Sequence, residues 1–413
     1  MAIIKSFRGW RPRRDIAAQV ASRPYDVLNS EEAKAEAAGN PFSFLHVVKP
    51  EIDLPDDVDH YAPIVYETGK ANFDTMVAEG WMVQDEQECL YIYQQNMNGH
   101  IQAGILAAAA VEDYLTGVIK KHELTRPDKE VDRKTHVRVA RMNAEPVFFS
   151  FPQVDELDLI INDTRKGVPE YDFTTEDGVG HTLWVIDDQS VIARVIELFD
   201  QEVPATYVAD GHHRTAAAAL VGEELKQENP DHTGEEDYNF FMAVHFPDNQ
   251  LKIIDYNRLV TDLNGLSEEA FLLNVEQSFV VKKMEGQYKP EALHHFGLYM
   301  GGSWYQLIAK EGTFDDGDPI GVLDVTILSE QVLSPILNIT DLRRDKRIDF
   351  VGGIRGLGEL EKRVDSDEMA AAFALYPVSM QQLIDIADSG EIMPPKTTWF
   401  EPKLRSGLVV YRF

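Results

Sequence analysis

A chain of 413 residues is long enough for two domains, and 44% hydrophobic residues supply an ordinary globular core. Its 70 acidic residues against 39 basic ones leave a net charge of -31. That balance argues against the basic stripe of a nucleic-acid surface and against an anionic membrane surface, and it suits solubility with a cationic or metal-requiring ligand.

In chain order, residues 2–7 predict a strand, followed by a basic cluster of Arg8, Arg11, Arg13 and Arg14. Asp15–Ser22 predicts a short helix. Asn29-Ser30 caps an Ala/Glu-rich helix that ends at Gly39-Asn40-Pro41. Phe44–Val48 reads as a strand, and Tyr61–Glu79 as a helix closed by Gly80. Glu88–Gln94 reads as a strand, Asn98-Gly99 as a hairpin turn, and Ile101–Val111 either pairs with that strand or begins the next helix. Residues 112–142 are dense in charge. Val147–Phe151 and Leu183–Ile186 read as strands, Gln189–Asp200 as a helix. Phe240–Phe246 and Leu251–Ile254 predict a hairpin around Pro247-Asp248-Asn249. Strands and helices mix throughout, so the expected class is α+β (mixed α/β). The pattern changes after Leu266, which divides the chain into 1–265 and a C-terminal α+β subdomain, 266–413. Helices at Ser267–Phe279, Ile327–Leu337 and Met380–Ala387, with strands at Gly297–Met300 and Trp304–Ile308, make up the second part.

The single cysteine, Cys89, sits beside the apolar run Leu90–Tyr93 and reads as a buried bystander. Met1–Arg8 lacks a signal-peptide core and no apolar run reaches transmembrane length, so the expected setting is the cytoplasm.

The densest chemistry lies at residues 207–220. Ala205–Val208 predicts a buried strand, and Thr215–Leu220, with four consecutive alanines, a helix start. Between them stand Asp210-Gly211-His212-His213-Arg214. Strand, polar turn and helix start present backbone N–H groups to an anion. Gly211 permits a positive φ or a close approach. Arg214 offers a planar fork for phosphate, and Asp210 suits a base or a Mg²⁺ ligand. A Pro-punctuated segment, Met393–Lys403, carries Lys396 and Lys403. It reads as a docking segment that packs Trp399 and Phe400, with a lysine on a phosphate as the functional alternative.

The segment Ala209–Ala217 resembles the signature of a family catalogued as domain of unknown function 1015. Agreement extends in order through Arg23-Pro24-Tyr25-Asp26-Val27, Lys121-His122-Glu123-Leu124-Thr125, Asp132-Arg133, Asn143 with Pro146, Asn257–Val260 and the Met393–Leu404 terminus. Thr215 departs from the tyrosine frequent there. Asp210–Arg214 also resembles the D-G-H-T-R loop of the free serine kinases, whose fold is ParB/sulfiredoxin-like. That resemblance implies a nucleotide-binding core with added strands and helices. His212 stands where sulfiredoxin has cysteine, so thiol chemistry is excluded, and the acidity speaks against ParB-like DNA partitioning.

The resemblance implies a nucleotide-dependent phosphotransferase for a small hydroxylated metabolite such as free serine, using ATP or ADP with Mg²⁺. Its expected catalytic set is Asp210, His212, His213 and Glu123, with one histidine touching the phosphoryl group. Phosphate contacts fall to Gly211, Arg214, Thr215, Arg11 and Arg13, with Arg14 nearby in sequence. His122 and Asp26 are expected at the substrate, and Asp210 at the metal. The expected partners are a small-molecule substrate and a nucleotide, without nucleic acid or membrane. Two other classes stay open: a non-catalytic nucleotide-binding switch, and a metal-dependent hydrolase built on His212, His213, His122 and Glu123.

Overall fold

The computed structural model describes residues 1–413. The chain forms two compact units, Met1–Leu251 with Pro402–Phe413, and Lys252–Glu401. Against the expected division at residue 265, the chain leaves the first unit at Leu251 and re-enters it at Pro402. The return is held by backbone pairing: Ser406 bridges Ser22, Val410 bridges Trp10, and Tyr411–Arg412 pairs with Met142–Asn143.

The first unit is built on a nine-stranded mixed sheet. Its strands are β1 (Ile4–Lys5), β2 (Leu90–Met97), β3 (His100–Ala110), β4 (Ile119–Lys120), β5 (Val147–Phe151), β6 (Tyr171–Thr174), β7 (Gly180–Ile186), β8 (Thr206–Asp210) and β9 (Phe240–Pro247). The order is β4-β8-β5-β9-β3-β2-β7-β6, with β1 on β3. Only β8/β4 and β9/β5 are parallel pairs. Asn98 and Gly99 take positive φ in the predicted β2–β3 hairpin.

The helices of this unit used below are α1 (Pro63–Ala78), α2 (Pro127–Ala140), α3 (Asp155–Thr164), α4 (Gln189–Glu202) and α5 (His212–Glu228). Alternate residues of a strand share a face. Ile105 and Ala107 pack with Leu157, Leu198 and Phe199 of α3 and α4, and Ala109 of the same face packs with Ala218 and Ala219 of α5. On the other face, Tyr91, Tyr93 and Gln95 meet the chain ends. The Tyr91 hydroxyl accepts from Gly9 N–H, the Tyr93 hydroxyl from Arg405 N–H, and Gln95 Nε2 donates to the Lys403 carbonyl at 2.8 Å. The sheet thereby carries α5 on one side and holds the Lys403 segment on the other.

Two expected elements differ. Leu45–Val48 is a helical turn, not a strand; Phe44–Val48 is apolar almost throughout, and such a run fits a buried helix as well as a buried strand. The hairpin around residues 247–249 does not form. Phe240–Pro247 pairs with β3 and β5, whereas Ile253–Ile254 belongs to the second unit and pairs with Trp399–Phe400.

The second unit carries a six-stranded antiparallel sheet: β10 (Tyr256–Val260), β11 (Phe279–Lys283), β12 (His295–Met300), β13 (Ser303–Ala309), β14 (Ile348–Gly352) and β15 (Ala371–Ala374), in the order β11-β13-β12-β15-β10-β14. Leu360 and Val364 of the helix Leu357–Asp365 close its core over Leu259, Tyr299 and Trp304. The chain as a whole is α+β. No helix is long and apolar enough to cross a membrane.

Candidate functional site

The motif is more compact than its sequence suggests. β8 continues to Asp210, and α5 begins at His212, so a single residue makes the turn. Between Val208 and Asp210 the register against β5 shifts by one, an irregularity that re-aims the end of the strand. Gly211 then turns the chain with φ 94° and ψ 32°. A Cβ there would stand 3.1 Å from Arg214 Nη2 and 3.2 Å from Cζ. Glycine is therefore required twice, for the left-handed backbone and for the guanidinium packed over it.

No side chain caps α5. The first intrahelical bond is Thr215 N–H to Gly211 O at 2.9 Å, so the N–H groups of His212, His213 and Arg214 precede the ladder. Thr215 is buried and its hydroxyl turns back onto Gly211 O at 3.0 Å, which takes it out of the expected phosphate contact.

Two cations converge on Asp210. Lys403 Nζ donates to Oδ1 at 2.7 Å and Arg214 Nη2 to Oδ2 at 3.0 Å. Burial alone would raise the Asp210 carboxyl, but Lys403 and then Arg214 outweigh it and hold the group below its usual range. Arg214 also donates to the Pro146 carbonyl at 2.5 Å, and its Nε is buried without a partner. Lys403 is thus the lysine of the C-terminal segment that reaches this site. Lys396 belongs to the second unit, where its Nζ lies 5.6 Å from the Tyr256 ring centre.

The two histidines diverge. His213 Nε2 accepts from Arg126 N–H at 2.9 Å, anchoring the loop before α2. That bond fixes Nε2 as an unprotonated acceptor, and burial lowers the His213 pKa. His212 is buried and meets His122 edge-to-face, ring centres 4.6 Å apart. Burial, then the neighbouring His122, drives the His212 pKa well down, and His122 is lowered to about 4 by burial. Both rings are neutral at pH 7, and His212 Nε2 has no partner. Glu123 follows His122 in a half-buried loop position. The exposed Asp26 acts electrostatically on His213 and Arg214.

Behind Arg214 lies a charged cluster that the sequence did not single out as a site. Glu145 is buried and accepts from Tyr25 N–H at 3.0 Å and Ser406 Oγ at 3.1 Å. Arg133 stacks on Tyr25 with Cζ 3.9 Å from the ring centre, and its Nε donates to Asp132 at 3.0 Å. Burial raises Glu145 despite Arg214 and Arg133. A cavity of about 30 Å³ opens among Arg133, Glu145, Asn143 and Arg214, enough for an ordered water. The resemblance elements Tyr25, Asp132-Arg133, Asn143 and Pro146 all fall around this cluster. For Glu145 the sequence signal is a lone charge ahead of the apolar run Val147–Phe149.

The N-terminal basic cluster lies apart from these contacts. Arg11 binds Asp85 through Nε at 3.0 Å and Glu170 through Nη1 at 3.2 Å; Arg13 pairs with Asp15, and Arg14 donates to the Pro169 carbonyl. Their charge is spent on local carboxylates and a carbonyl, so the expected reinforcement of the phosphate site by Arg11 and Arg13 is not formed. A metal centre is not assembled either. No three or more His, Cys, Asp or Glu residues gather to hold an ion. Each Asp210 oxygen accepts from one cation in the structure, Oδ1 from Lys403 and Oδ2 from Arg214. The hydrolase set of His212, His213, His122 and Glu123 also lacks metal-ligand geometry, since His213 Nε2 is spent on Arg126.

A family model described as "Protein of unknown function (DUF1015)" matches residues 4–326. The chain belongs to that family. None of the curated proteins matches it. Among solved structures, it is similar to a conserved hypothetical protein from Pyrococcus furiosus, at 13% identity and TM-score 0.36, covering 75% of this chain and 95% of that one. A free serine kinase in complex with AMP is matched at 12% identity and TM-score 0.35, over 73% and 91% of the two chains. SbnI with a C-terminal truncation, from Staphylococcus aureus, is matched at 12% identity and TM-score 0.39, over 74% and 87%.

Proposed function

We infer that the protein is a nucleotide-dependent phosphotransferase acting on a small hydroxylated metabolite such as free serine, with ATP or ADP as donor. One observation carries the reading: a carboxylate kept ionised between Lys403 and Arg214 at the uncapped start of a helix. Phosphoryl transfer is chiefly positioning and charge stabilisation, and these are the groups it needs.

The N–H groups of His212, His213 and Arg214, with the unpartnered Arg214 Nε, are assigned as donors to phosphate oxygens. The acceptor hydroxyl oxygen attacks the terminal phosphorus. The new O–P bond forms as the P–O bond to the departing nucleotide breaks, and the hydroxyl proton passes to Asp210. An acidic carboxylate takes that proton late, which suits a loose transition state. Neutral His212, whose Nε2 is unpartnered, is assigned as a hydrogen-bond donor to a phosphoryl oxygen that adds no charge. No step passes through a protein-held metal; Mg²⁺ belongs to the assay as the nucleotide's counter-ion. The D-G-H-T-R resemblance supports the same assignment of Asp210 and Arg214.

The test incubates the full chain with ATP or ADP, Mg²⁺ and a panel of hydroxylated amino acids, and reads the phosphorylated product by mass spectrometry. Product formation that Asp210→Asn abolishes is expected. Nucleotide-dependent thermal stabilisation with no product from any acceptor would replace this reading with a non-catalytic nucleotide switch. Neither binding nor product would end both.

A further inference from the structure

We propose that the second unit carries a binding site of its own for a small organic anion, one with an apolar body and a phosphate or carboxylate end. The inference does not rest on the Asp210 site, from which it shares no residue.

The site is a cleft of about 820 Å³, within the range of small-molecule pockets. Its apolar wall is formed by Ile339, Leu342, Pro394 and Pro395. Elsewhere in the lining the chain winds abnormally. The helix Asp324–Leu328 runs into a π-helical turn, Ser329–Leu333, in which Ser334 N–H reaches back to Ser329 O at 2.9 Å. Such turns give up good helix geometry and recur at functional sites. Here the turn directs Ser329, Glu330 and Ser334 to the cleft. The sequence predicts an ordinary helix over Ile327–Leu337, so the widening has no local propensity behind it.

A second observation is independent of the first. Thr326 lines the cleft and is 7% exposed, yet its hydroxyl is buried without a hydrogen-bond partner. Buried hydroxyls are normally satisfied, and serine or threonine in a helix usually bonds the preceding turn, as Ser329 does to Val325 O at 2.7 Å. A ligand acceptor at the cleft floor would complete Thr326.

The charge selects an anion. In a chain of net charge -31, residues 343–347 read Arg-Arg-Asp-Lys-Arg, and Arg343 and Arg344 both line the cleft. Asp341 accepts from Arg343 N–H at 3.0 Å, which shapes the turn, and stands 3.9 Å from the exposed Arg344 Nε. The Arg343 side chain makes no ion pair. Its planar fork suits a phosphate or carboxylate. Glu330, also at the cleft, repels a ligand that is anionic throughout, which is why the body is assigned as apolar and the charge as terminal.

Isothermal titration of the full chain tests this with phenyl phosphate, benzoate, inorganic phosphate and phenol. Saturable one-to-one binding of phenyl phosphate or benzoate in the millimolar range or tighter is expected, with inorganic phosphate and phenol each weaker by about tenfold or more. Which of the two anions binds better assigns the head group. R343Q/R344Q, and separately S334W, which fills the cleft from an exposed position, should each weaken binding by about tenfold or more. Asp210→Asn should leave it unchanged. Absence of saturation with both organic anions, unchanged affinity in R343Q/R344Q, or loss of binding in Asp210→Asn would each overturn the proposal.

Discussion

Two carboxylates, one in each unit, stand in opposite surroundings. Asp210 of the first unit is touched by Lys403 and Arg214 and is held ionised. Asp324 of the second unit is 3% exposed, accepts from His294 N–H at 2.8 Å, and leaves Oδ2 without a partner; burial pushes it up to about 7. The His294 ring nitrogen 3.3 Å away does not reverse this, because burial lowers that histidine as well. Burial opposes ionisation at both positions, so depth does not set the charge of a carboxylate. What sets it is whether the fold delivers a cation, and at Asp210 one of the two cations comes from 193 positions away.

The largest effects should come from breaking this delivery at Asp210. Asp210→Asn keeps the size, removes the charge and turns one acceptor oxygen into a donor that faces a cation. Turnover should fall by about 10²–10⁴-fold, the usual worth of a positioned proton acceptor, while the circular dichroism spectrum stays native. Lys403→Met removes the strongest lowering influence on Asp210 and leaves Arg214 in place. The acid limb of the kcat/KM profile should then move to higher pH. An unmoved limb would mean that Asp210 is not the group titrating there.

The next largest effect separates the units by pH. A carboxyl raised in the folded state contributes stability that is complete below its unfolded value and is lost as pH rises through its folded value. For Asp324 the window runs from about 4 to about 7, at a limit of about 4 kcal/mol. Asp324→Asn should flatten that loss. The first unit should respond in the opposite direction, because its lowered histidines outnumber its raised carboxyls Asp113, Glu145 and Asp158. His122, His136 and His245 are lowered to about 4, and His181 to about 3, with burial the leading cause in each. A histidine lowered in the folded state contributes stability that is present above its unfolded value of about 6.5 and is lost as pH falls toward 4. Pulsed hydrogen exchange across a urea series, read by peptide, should show Lys252–Glu401 weakening toward alkali and Met1–Leu251 weakening toward acid. Parallel pH profiles in the two units would break the comparison.

The same contrast explains what was legible in the sequence. Asp210 to Arg214 are consecutive, and a local string exposes a local turn; the hairpin at Asn98-Gly99 is legible for the same reason. Lys403 is not, because nothing in Pro402-Lys403-Leu404 states which carboxylate it meets once the chain has returned to the first unit. The charge-dense stretch 112–142 does not show which of its charges are buried. Asp132, Arg133 and His136 are buried, with Tyr66 donating to Asp132, Arg133 stacked on Tyr25 and His136 bonded to the Val47 carbonyl, partners remote in sequence. Arg11 and Arg13 mislead in the reverse direction. A basic cluster in an acidic chain suggests a ligand, but Asp85, Glu170 and Asp15 neutralise it. Residue type shows that a charge exists, and only the fold shows its counter-charge.

The smallest predicted effect probes how the turn at Gly211 serves the cation pair. Gly211→Ala should cost about 1–3 kcal/mol for the left-handed backbone alone. It should also displace Arg214, whose guanidinium the new methyl would meet at 3.1–3.2 Å. Gly234 separates the two contributions. Its φ is 99°, near the 94° of Gly211, and nothing lies within 4 Å of an added Cβ. Gly234→Ala therefore carries the backbone cost without the contact. A further loss of thermal stability in Gly211→Ala, with the acid limb of turnover moved upward, would show that the turn holds Arg214 against Asp210. Equal losses in the two variants, with an unmoved acid limb, would reduce Gly211 to a residue chosen for its φ, and Arg214 would then owe its position to the Pro146 carbonyl and Glu145 behind it.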